Sequence, residues 1–231
     1  MGGMTKSATS EAVYQQLKEQ ILHLDLPPGS AISETDTASQ YNVSRTPVRD
    51  AFKALEMEGL LEIQPHVGTF VSLINLDQIS DILYMREVLE RSILKDLSVS
   101  FTQSQLLKFK IILENQRNLL FSDLDDITLG KEFIKSDNEF HSALFEAAGK
   151  KNVWIFLSFI NQQYERFRTF INLSGKENLI ALYEEHNAIL NAIYDKDFNK
   201  LDSLVTNHIY DGFNRSSELI CNYPSYFKSI V

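Results

Sequence analysis

Four residues in the C-terminal half of the sequence combine cation-binding side chains with positions at which a helix needs apolar residues. They are Asp137, His141, His186 and His208. Asp137 and His141 are four residues apart, so a helix places both on one face. His186 and His208 each follow two leucines at spacings of three and four residues, which is the pattern of a buried helix face. One carboxylate and three imidazoles form a donor set for a divalent ion such as zinc, nickel or manganese.

Other interpretations of these four residues stay open at the level of sequence. A single buried histidine is more often a hydrogen-bonded core residue than a ligand, and Asp137 alone could be a surface acid. Three histidines and an aspartate around an ion with open positions could also activate water in an enzyme. No general base, phosphate-binding loop or nucleophile motif accompanies them, so an enzyme is the weaker alternative. A metal sensor, in which the ion itself is the signal, is another.

A second group of polar residues, near the N-terminus, is suited to the binding of a polyanion. Arg45 and Arg49 are four residues apart and project from one face at the start of a predicted helix. Ser44 and Thr46 add hydroxyls beside free backbone N–H groups, at the positive end of the helix dipole. An arginine can also bind guanine through two hydrogen bonds in the major groove of DNA. The pattern predicts a helix that contacts DNA, although an isolated pair of this kind is more often a solvated surface.

The elements around these arginines make the prediction specific. Residues 34–40 read as a short helix, and a three-residue turn leads into the helix that carries the arginines and ends near Gly59. Residues 60–63 and 69–72 are β-rich runs on either side of a turn that contains Pro65 and Gly68. Two helices joined by a tight turn and followed by a hairpin form a winged helix-turn-helix.

Three separate motifs resemble the DNA-binding domain of GntR-family repressors. They are residues 28–34 (PGSAISE), 43–51 (VSRTPVRDA) and 55–60 (LEMEGL), in that order, followed by the wing glycine Gly68. The resemblance implies that a homodimer binds a palindromic operator in double-stranded DNA. We expect the residues at this interface to be Glu34, Ser44, Arg45, Thr46, Arg49, Lys53, His66 and Gly68.

The rest of the chain shows helical periodicity only. Six patterns run over residues 77–98, 103–121, 129–148, 152–171, 176–194 and 198–220. The sequence therefore predicts a mostly α protein in which a winged helix-turn-helix of three helices and a hairpin (residues 8–74) precedes an all-α antiparallel bundle of six helices (residues 75–222). The fourth pattern is rich in aromatic residues, and we expect most of them in the core and one or two in the lining of a pocket: Trp154, Phe156, Phe159, Tyr164, Phe167 and Phe170.

The helical part resembles the FCD domain of the FadR subgroup, in its six-helix VanR-like variant, which implies a domain for effector binding and dimerisation. Residues 137–141 (DNEFH) and 185–190 (EHNAIL), with His208, carry the resemblance. It implies a divalent metal held by one aspartate and three histidines, and all four positions are filled here. Arg86 matches the family's Arg-x-x-Leu-Glu pattern and falls on a buried helix face, so it needs a partner. That partner is either a small carboxylate effector or an internal carboxylate, Glu90 or Asp137.

The charge composition limits the affinity for DNA that we expect. The net charge of −9 opposes DNA binding, and residues 4–75 hold five basic against nine acidic side chains. Because the arginines cluster on one helix and a dimer doubles their number, we still expect modest, salt-sensitive affinity for DNA.

No apolar run approaches the roughly 18–20 residues that span a membrane. The lone Cys221 excludes an internal disulfide, so we expect a cytoplasmic protein.

Overall fold

The computed structural model describes residues 6–172 and 175–228, with side chains from Ser10 onward. These residues form two compact units. The first contains the chain up to Leu76 together with the segment from Tyr223, and the second spans Asp77–Asn222. The chain therefore leaves the first unit after Leu76 and returns to it after Asn222.

The first unit is a winged helix-turn-helix with a small sheet. Its helices are α1 (Lys6–Leu22), α2 (Glu34–Gln40) and α3 (Arg45–Met57), and its strands are β1 (Ala31–Ile32), β2 (Leu61–Gln64) and β3 (Gly68–Val71). The β2–β3 hairpin is the predicted wing. Strand β1 was not predicted, and it pairs antiparallel with β3 so that the sheet order is β1-β3-β2.

Local sequence chemistry explains how α2 and α3 begin and end. Ser33 caps α2, because its hydroxyl accepts hydrogen bonds from the backbone N–H groups of Thr35 and Asp36. Asn42 takes the left-handed conformation (φ 52°) in the turn between the helices, a conformation that Asn tolerates better than most residues. Gly59 (φ 71°) follows α3 and lets the chain turn into β2, as predicted.

The C-terminal segment packs on the first unit. After a short 3₁₀ helix (Pro224–Tyr226), Phe227 forms a parallel bridge with Ile74. The Ile74 N–H donates to the carbonyl of Tyr226 at 2.8 Å, and the Lys228 N–H donates to the carbonyl of Ile74 at 2.9 Å. Phe227 is 6% exposed and Ile74 is fully buried. The last described residues are therefore part of the fold of this unit.

The second unit is an all-α bundle. Its described helices are α4 (Leu76–Ser100), α5 (Gln103–Leu120), α6 (Asp126–Ala147), α7 (Lys151–Ile160), α8 (Gln162–Asn172), α9 (Lys176–Asp195), α10 (Phe198–Arg215) and α11 (Ser217–Asn222). All six predicted patterns are helical. The fourth is divided between α7 and α8 at Asn161, a residue type that favours helix ends over interiors, and the sixth is divided at Ser216. In the described part of the chain, no helix is both long and apolar enough to cross a membrane.

The aromatic residues of α7 and α8 are only partly where we expected them. Phe167 and Phe170 are buried, whereas Phe156 and Phe159 are 72% and 70% exposed. The expectation that most of this set lies in the core was therefore wrong for the outer side of α7. Helix α7 packs on α6 through its opposite side, where Leu157 is buried.

Candidate metal centre and DNA-binding helix

Three imidazoles from three different helices meet in the interior of the second unit. His141 lies on α6, His186 on α9 and His208 on α10, and all three are buried. One ring nitrogen from each lies within 4.8 Å of the other two. The closest approach joins His208 Nε2 and His141 Nε2, which are 3.2 Å apart. The helical periodicity predicted this convergence, because it placed each histidine on an inward face.

Each imidazole has an oxygen partner at its other nitrogen. The pairs are His186 Nδ1 with Gln116 Oε1 at 3.0 Å, His208 Nδ1 with Glu185 Oε2 at 2.8 Å, and His141 Nδ1 with Glu90 Oε2 at 2.8 Å. These oxygens favour the tautomer that carries the proton on Nδ1. The Nε2 lone pairs then face the cluster, which is the orientation of metal-binding histidines whose outer N–H is held by a carboxylate or amide.

The charge state of the imidazoles fits the same interpretation. Burial lowers the pKa of His141, and burial together with His208 lowers the pKa of His186 well below its ordinary value. Both rings are therefore neutral at pH 7. His186 Nε2 is buried and has no hydrogen-bond partner among the described residues. Unprotonated nitrogens gathered in a dry interior repel one another, and a bound cation relieves that repulsion.

Asp137 adjoins this three-histidine cluster. Its Oδ1 lies 3.4 Å from His186 Nε2, and its Oδ2 lies 3.8 Å from His141 Nε2. The same Oδ2 is 2.8 Å from Nη2 of Arg168, which sequence reasoning missed. Burial raises the pKa of Asp137, but Arg168 and the neighbouring imidazoles outweigh burial and hold the pKa below its usual range. The carboxylate is therefore charged, and one of its oxygens is shared with a guanidinium.

Arg86 has the internal partner that the sequence left as one alternative. Its Nε donates to Glu90 Oε1 at 2.9 Å, and both side chains are 3% exposed. Arg86 and His141 lower the pKa of Glu90 to about 2, against the effect of burial. Arg86 Nη2 is buried without a hydrogen-bond partner among the described residues. The pairing with Glu90 therefore leaves a donor unused.

A cavity opens beside the cluster. Its lining includes Arg86, Arg168, Asp137 and His208. The guanidinium carbons of both arginines lie over the ring of Tyr164, at 5.2 and 5.6 Å from its centroid. Two cations and two imidazoles of the cluster thus line the same cavity. Tyr164 belongs to the aromatic set that the sequence singled out, and it lines the cavity. Arg168 carried no sequence signal, because only the packing of α8 brings it to α6.

The first unit presents the predicted DNA-contacting side chains to solvent. Ser44 precedes α3 in an extended conformation and makes no capping hydrogen bond through its side chain. Arg45, Thr46, Arg49 and Lys53 are exposed, as is the tip of the wing. The wing turn includes His66 in the left-handed conformation (φ 64°) and leads into Gly68, where β3 begins.

Glu34 binds both arginines of α3. Its carboxylate accepts hydrogen bonds from Arg49 Nε and Nη2, each at 3.1 Å, and from Arg45 Nη2 at 3.0 Å. The hydrogen bond from Arg49 is the main reason that the pKa of Glu34 is lowered. The start of α2 and the start of α3 are therefore joined by one carboxylate held between two guanidinium groups.

Comparison with known proteins identifies both units. The family model described as "Bacterial regulatory proteins, gntR family" matches residues 9–71, and the FCD domain model matches residues 81–211. An uncharacterized HTH-type transcriptional regulator of Streptomyces ambofaciens is 27% identical over 94% of this chain and 89% of its own length. The HTH-type transcriptional repressor RspR of Escherichia coli K12 is 27% identical over 87% of this chain and 86% of its own.

A solved structure shares the fold. The structure of E. coli McbR/YncC superposes with a TM-score of 0.66 at 20% identity and covers 91% of this chain and 98% of its own. The family consists of transcriptional regulators, which removes the enzyme alternative. The chain belongs to the GntR family and is a DNA-binding transcriptional regulator with an FCD domain.

Proposed function

We propose that this regulator is a cytoplasmic, homodimeric repressor whose helical unit binds a divalent metal and a small carboxylate effector that together set operator affinity. The observation that carries the proposal is the convergence of three buried imidazoles, with His208 Nε2 and His141 Nε2 only 3.2 Å apart. The relative named as a repressor supports repression as the default action.

The residues that would hold the metal are His141, His186 and His208, with Asp137 as the fourth ligand. Their chemistry fits zinc, nickel or manganese, since imidazole and carboxylate donors suit all three ions. A bound ion would supply a positive centre that attracts a carboxylate. The oxygens of Gln116, Glu185 and Glu90 keep the rings in the ligating orientation.

The effector pocket is the cavity beside this cluster. Arg86 Nη2 is a buried donor that finds no partner within the described part of the chain, and such a group gains from a ligand that accepts its hydrogen bond. Arg168 lines the same cavity but is engaged by Asp137 and by the side chain of Asn138. Arg86 is therefore the residue that we assign to the effector carboxylate.

The DNA-binding surface combines the start of α3 with the wing. We assign direct operator contacts to Ser44, Arg45, Thr46, Arg49, Lys53, His66 and Gly68, and an indirect role to Glu34, which holds the arginines. Two copies of this surface on a homodimer would read the two halves of a palindrome. An effector that changes the spacing of the two copies would change operator affinity, typically by about 1–3 kcal/mol.

The test begins with DNA selected from a random duplex library by the purified protein. Fluorescence anisotropy then measures the affinity for the selected duplex after chelation, after reloading with Zn²⁺, Ni²⁺ or Mn²⁺, and after addition of mono-, di- and tricarboxylic acids. We expect at least one acid to change the affinity of the metal-loaded protein for the selected duplex. The same acid should leave the affinity of the His186→Ala variant for this duplex unchanged. An effect of the metal alone would favour the metal-sensor alternative, and no effect of either would contradict the proposal.

A further inference from the structure

The outer side of α7 is a continuous apolar surface. Ile155, Phe156, Phe159 and Ile160 occupy neighbouring positions on this side of the helix, and we call these four residues the α7 face. They are 53%, 72%, 70% and 50% exposed. A phenylalanine offers about 150–250 Å² of surface, so the two rings alone leave roughly 200–350 Å² of apolar area in solvent.

The inner side of α7 is apolar as well. Leu157 is buried, and Trp154 stacks on His141 with ring centroids 6.0 Å apart and contacts the ring of Phe145 at 5.4 Å. A helix that is apolar on all sides belongs in an interior. The structure supplies an interior for one side only, so the α7 face needs a partner.

We propose that the α7 face is the surface through which two copies of this chain associate, a proposal that rests on the homodimer of the proposed function. Area supports a second copy as the occupant. With the two isoleucines added, each protomer would bury on the order of 450 Å², more than half of the roughly 800 Å² per partner in a standard interface. A patch of this size is comparable to the largest apolar patch of a typical monomer, which is often a functional surface.

The distribution of charge favours a symmetric contact. Between Asn152 and Asn161 the sequence has no charged residue, and Lys150 and Lys151 lie at the start of the helix. In a two-fold contact each patch meets its own copy, so a patch must be complementary to itself. When two α7 helices cross antiparallel, their apolar faces meet and their lysines lie at opposite ends.

This position connects the dimer contact with the metal site. The stack of Trp154 on His141 means that one helix has the imidazole cluster on its inner side and the second copy on its outer side. A shift of His141 would therefore reach the interface through a single packed side chain. Occupancy of the effector unit would in this way set the placement of the two DNA-binding units.

The experiment compares the mass of full-length variants by size-exclusion chromatography with light scattering. Phe156→Asp/Phe159→Asp tests the α7 face. Leu107→Asp/Ile111→Asp is the matched control, because these residues of α5 are also exposed apolar side chains, at 62% and 56%. We expect the α7 variant to elute as a monomer with wild-type helicity, and the α5 variant to stay a dimer.

A crosslink tests the same contact without disrupting it. With the exposed Cys221 changed to serine, Ser158→Cys puts a thiol on the exposed side of α7, and Leu107→Cys is its control. A short bismaleimide should join two copies of the first variant and leave the second unjoined. If the wild type is a dimer, the α7 variant is also a dimer and the Ser158→Cys variant does not crosslink, the α7 face is not the dimer interface. The homodimer of the proposed function would still hold. A monomeric wild-type protein would overturn both, while metal and DNA binding are measured independently.

Discussion

His208 Nε2 and His141 Nε2 lie 3.2 Å apart, and each ring presents its Nδ1 to a glutamate oxygen 2.8 Å away. Because the glutamate oxygens favour the tautomers that keep the proton on Nδ1, the short Nε2 contact joins two lone pairs unless one ring is charged. Burial opposes that charge at His141, whose pKa is lowered. This contact is one of the reasons for which we propose a cation site here.

The first prediction concerns the metal-free protein at mildly acidic pH. His141 and His186 have folded-state pKa values below the unfolded value of about 6.5, so the unfolded chain binds more protons as the pH falls through that value. The free energy of unfolding should decrease between pH 7 and pH 5, by at most about 2 kcal/mol per imidazole, and His186 should contribute more than His141. Urea unfolding followed by fluorescence of Trp154, the chain's one tryptophan, measures the change.

The same titration has an internal control. Asp137 and Glu90 have lowered pKa values, so their contribution is lost only as the pH falls below the unfolded carboxyl range of about 4–4.5. Their effect therefore lies below the tested window. His186→Gln should show a smaller decrease between pH 7 and pH 5 than the wild type. Equal slopes for both proteins would contradict the neutral, buried state of His186.

The second prediction concerns the arginine of α3 that makes two hydrogen bonds to Glu34. Arg49→Ala should weaken binding to the selected duplex by about 1–3 kcal/mol, because a forked contact with base or phosphate is lost. The melting temperature should stay unchanged, since solvent screens an exposed ion pair and leaves it little effect on stability. Fluorescence anisotropy and a thermal melt measure the two quantities, with the exposed Lys108→Ala as control. Wild-type affinity for the selected duplex would refute the assignment of α3 as the recognition helix.

The third prediction concerns Glu34 itself. Its carboxylate neutralises part of the charge of Arg45 and Arg49 and fixes both side chains. Glu34→Gln should therefore strengthen binding to random duplex at low salt and reduce the ratio of selected to random affinity. Salt titrations of both duplexes test this expectation. A variant with an unchanged ratio would show that Glu34 has no part in orienting the arginines.

The fourth prediction concerns the C-terminal segment. Phe227 is 6% exposed and its neighbours hydrogen-bond to Ile74, so Phe227→Ala should destabilise the first unit by about 3–5 kcal/mol. The Ile74 amide should exchange its hydrogen faster in this variant, as measured by mass spectrometry. Tyr223→Ala is the matched control, because Tyr223 is 46% exposed. Unchanged exchange at Ile74 in the Phe227 variant would mean that the segment does not support this unit.

Periodicity predicted more of the site than of its surroundings. The spacing of His141, His186 and His208 among leucines was sufficient to place three rings in one interior. The oxygens that orient those rings were not predictable, because Gln116 and Glu185 are charged or polar residues of ordinary surface type that only tertiary packing brings to the imidazoles. Arg168 reaches Asp137 across two helices for the same reason.

In the fold, too, the features that depend on neighbouring residues were predicted, and those that depend on tertiary contacts were not. Turn and cap residues such as Asn42 and Gly59 marked the helix-turn-helix correctly, since their backbone conformations depend on neighbouring residues. Strand β1 has two residues and exists only through its pairing with β3, so it leaves no pattern in the sequence. The exposure of the Phe156 side chain was not predicted, because hydrophobicity alone does not distinguish a core position from an exposed apolar surface.

Metal stoichiometry is the direct test of our proposal that the three-histidine cluster holds a divalent ion. The protein is treated with a chelator, reloaded with Zn²⁺, Ni²⁺ or Mn²⁺ and desalted, and mass spectrometry then measures the number of metal ions per chain. The affinity for Ni²⁺ is measured by the quenching of the fluorescence of Trp154, which stacks on His141. We expect one ion per chain for the wild type and for His66→Ala, whose imidazole lies on the wing. Binding by His186→Ala should be at least about tenfold weaker. No bound ion in the wild type, or equal binding by both histidine variants, would contradict the proposal.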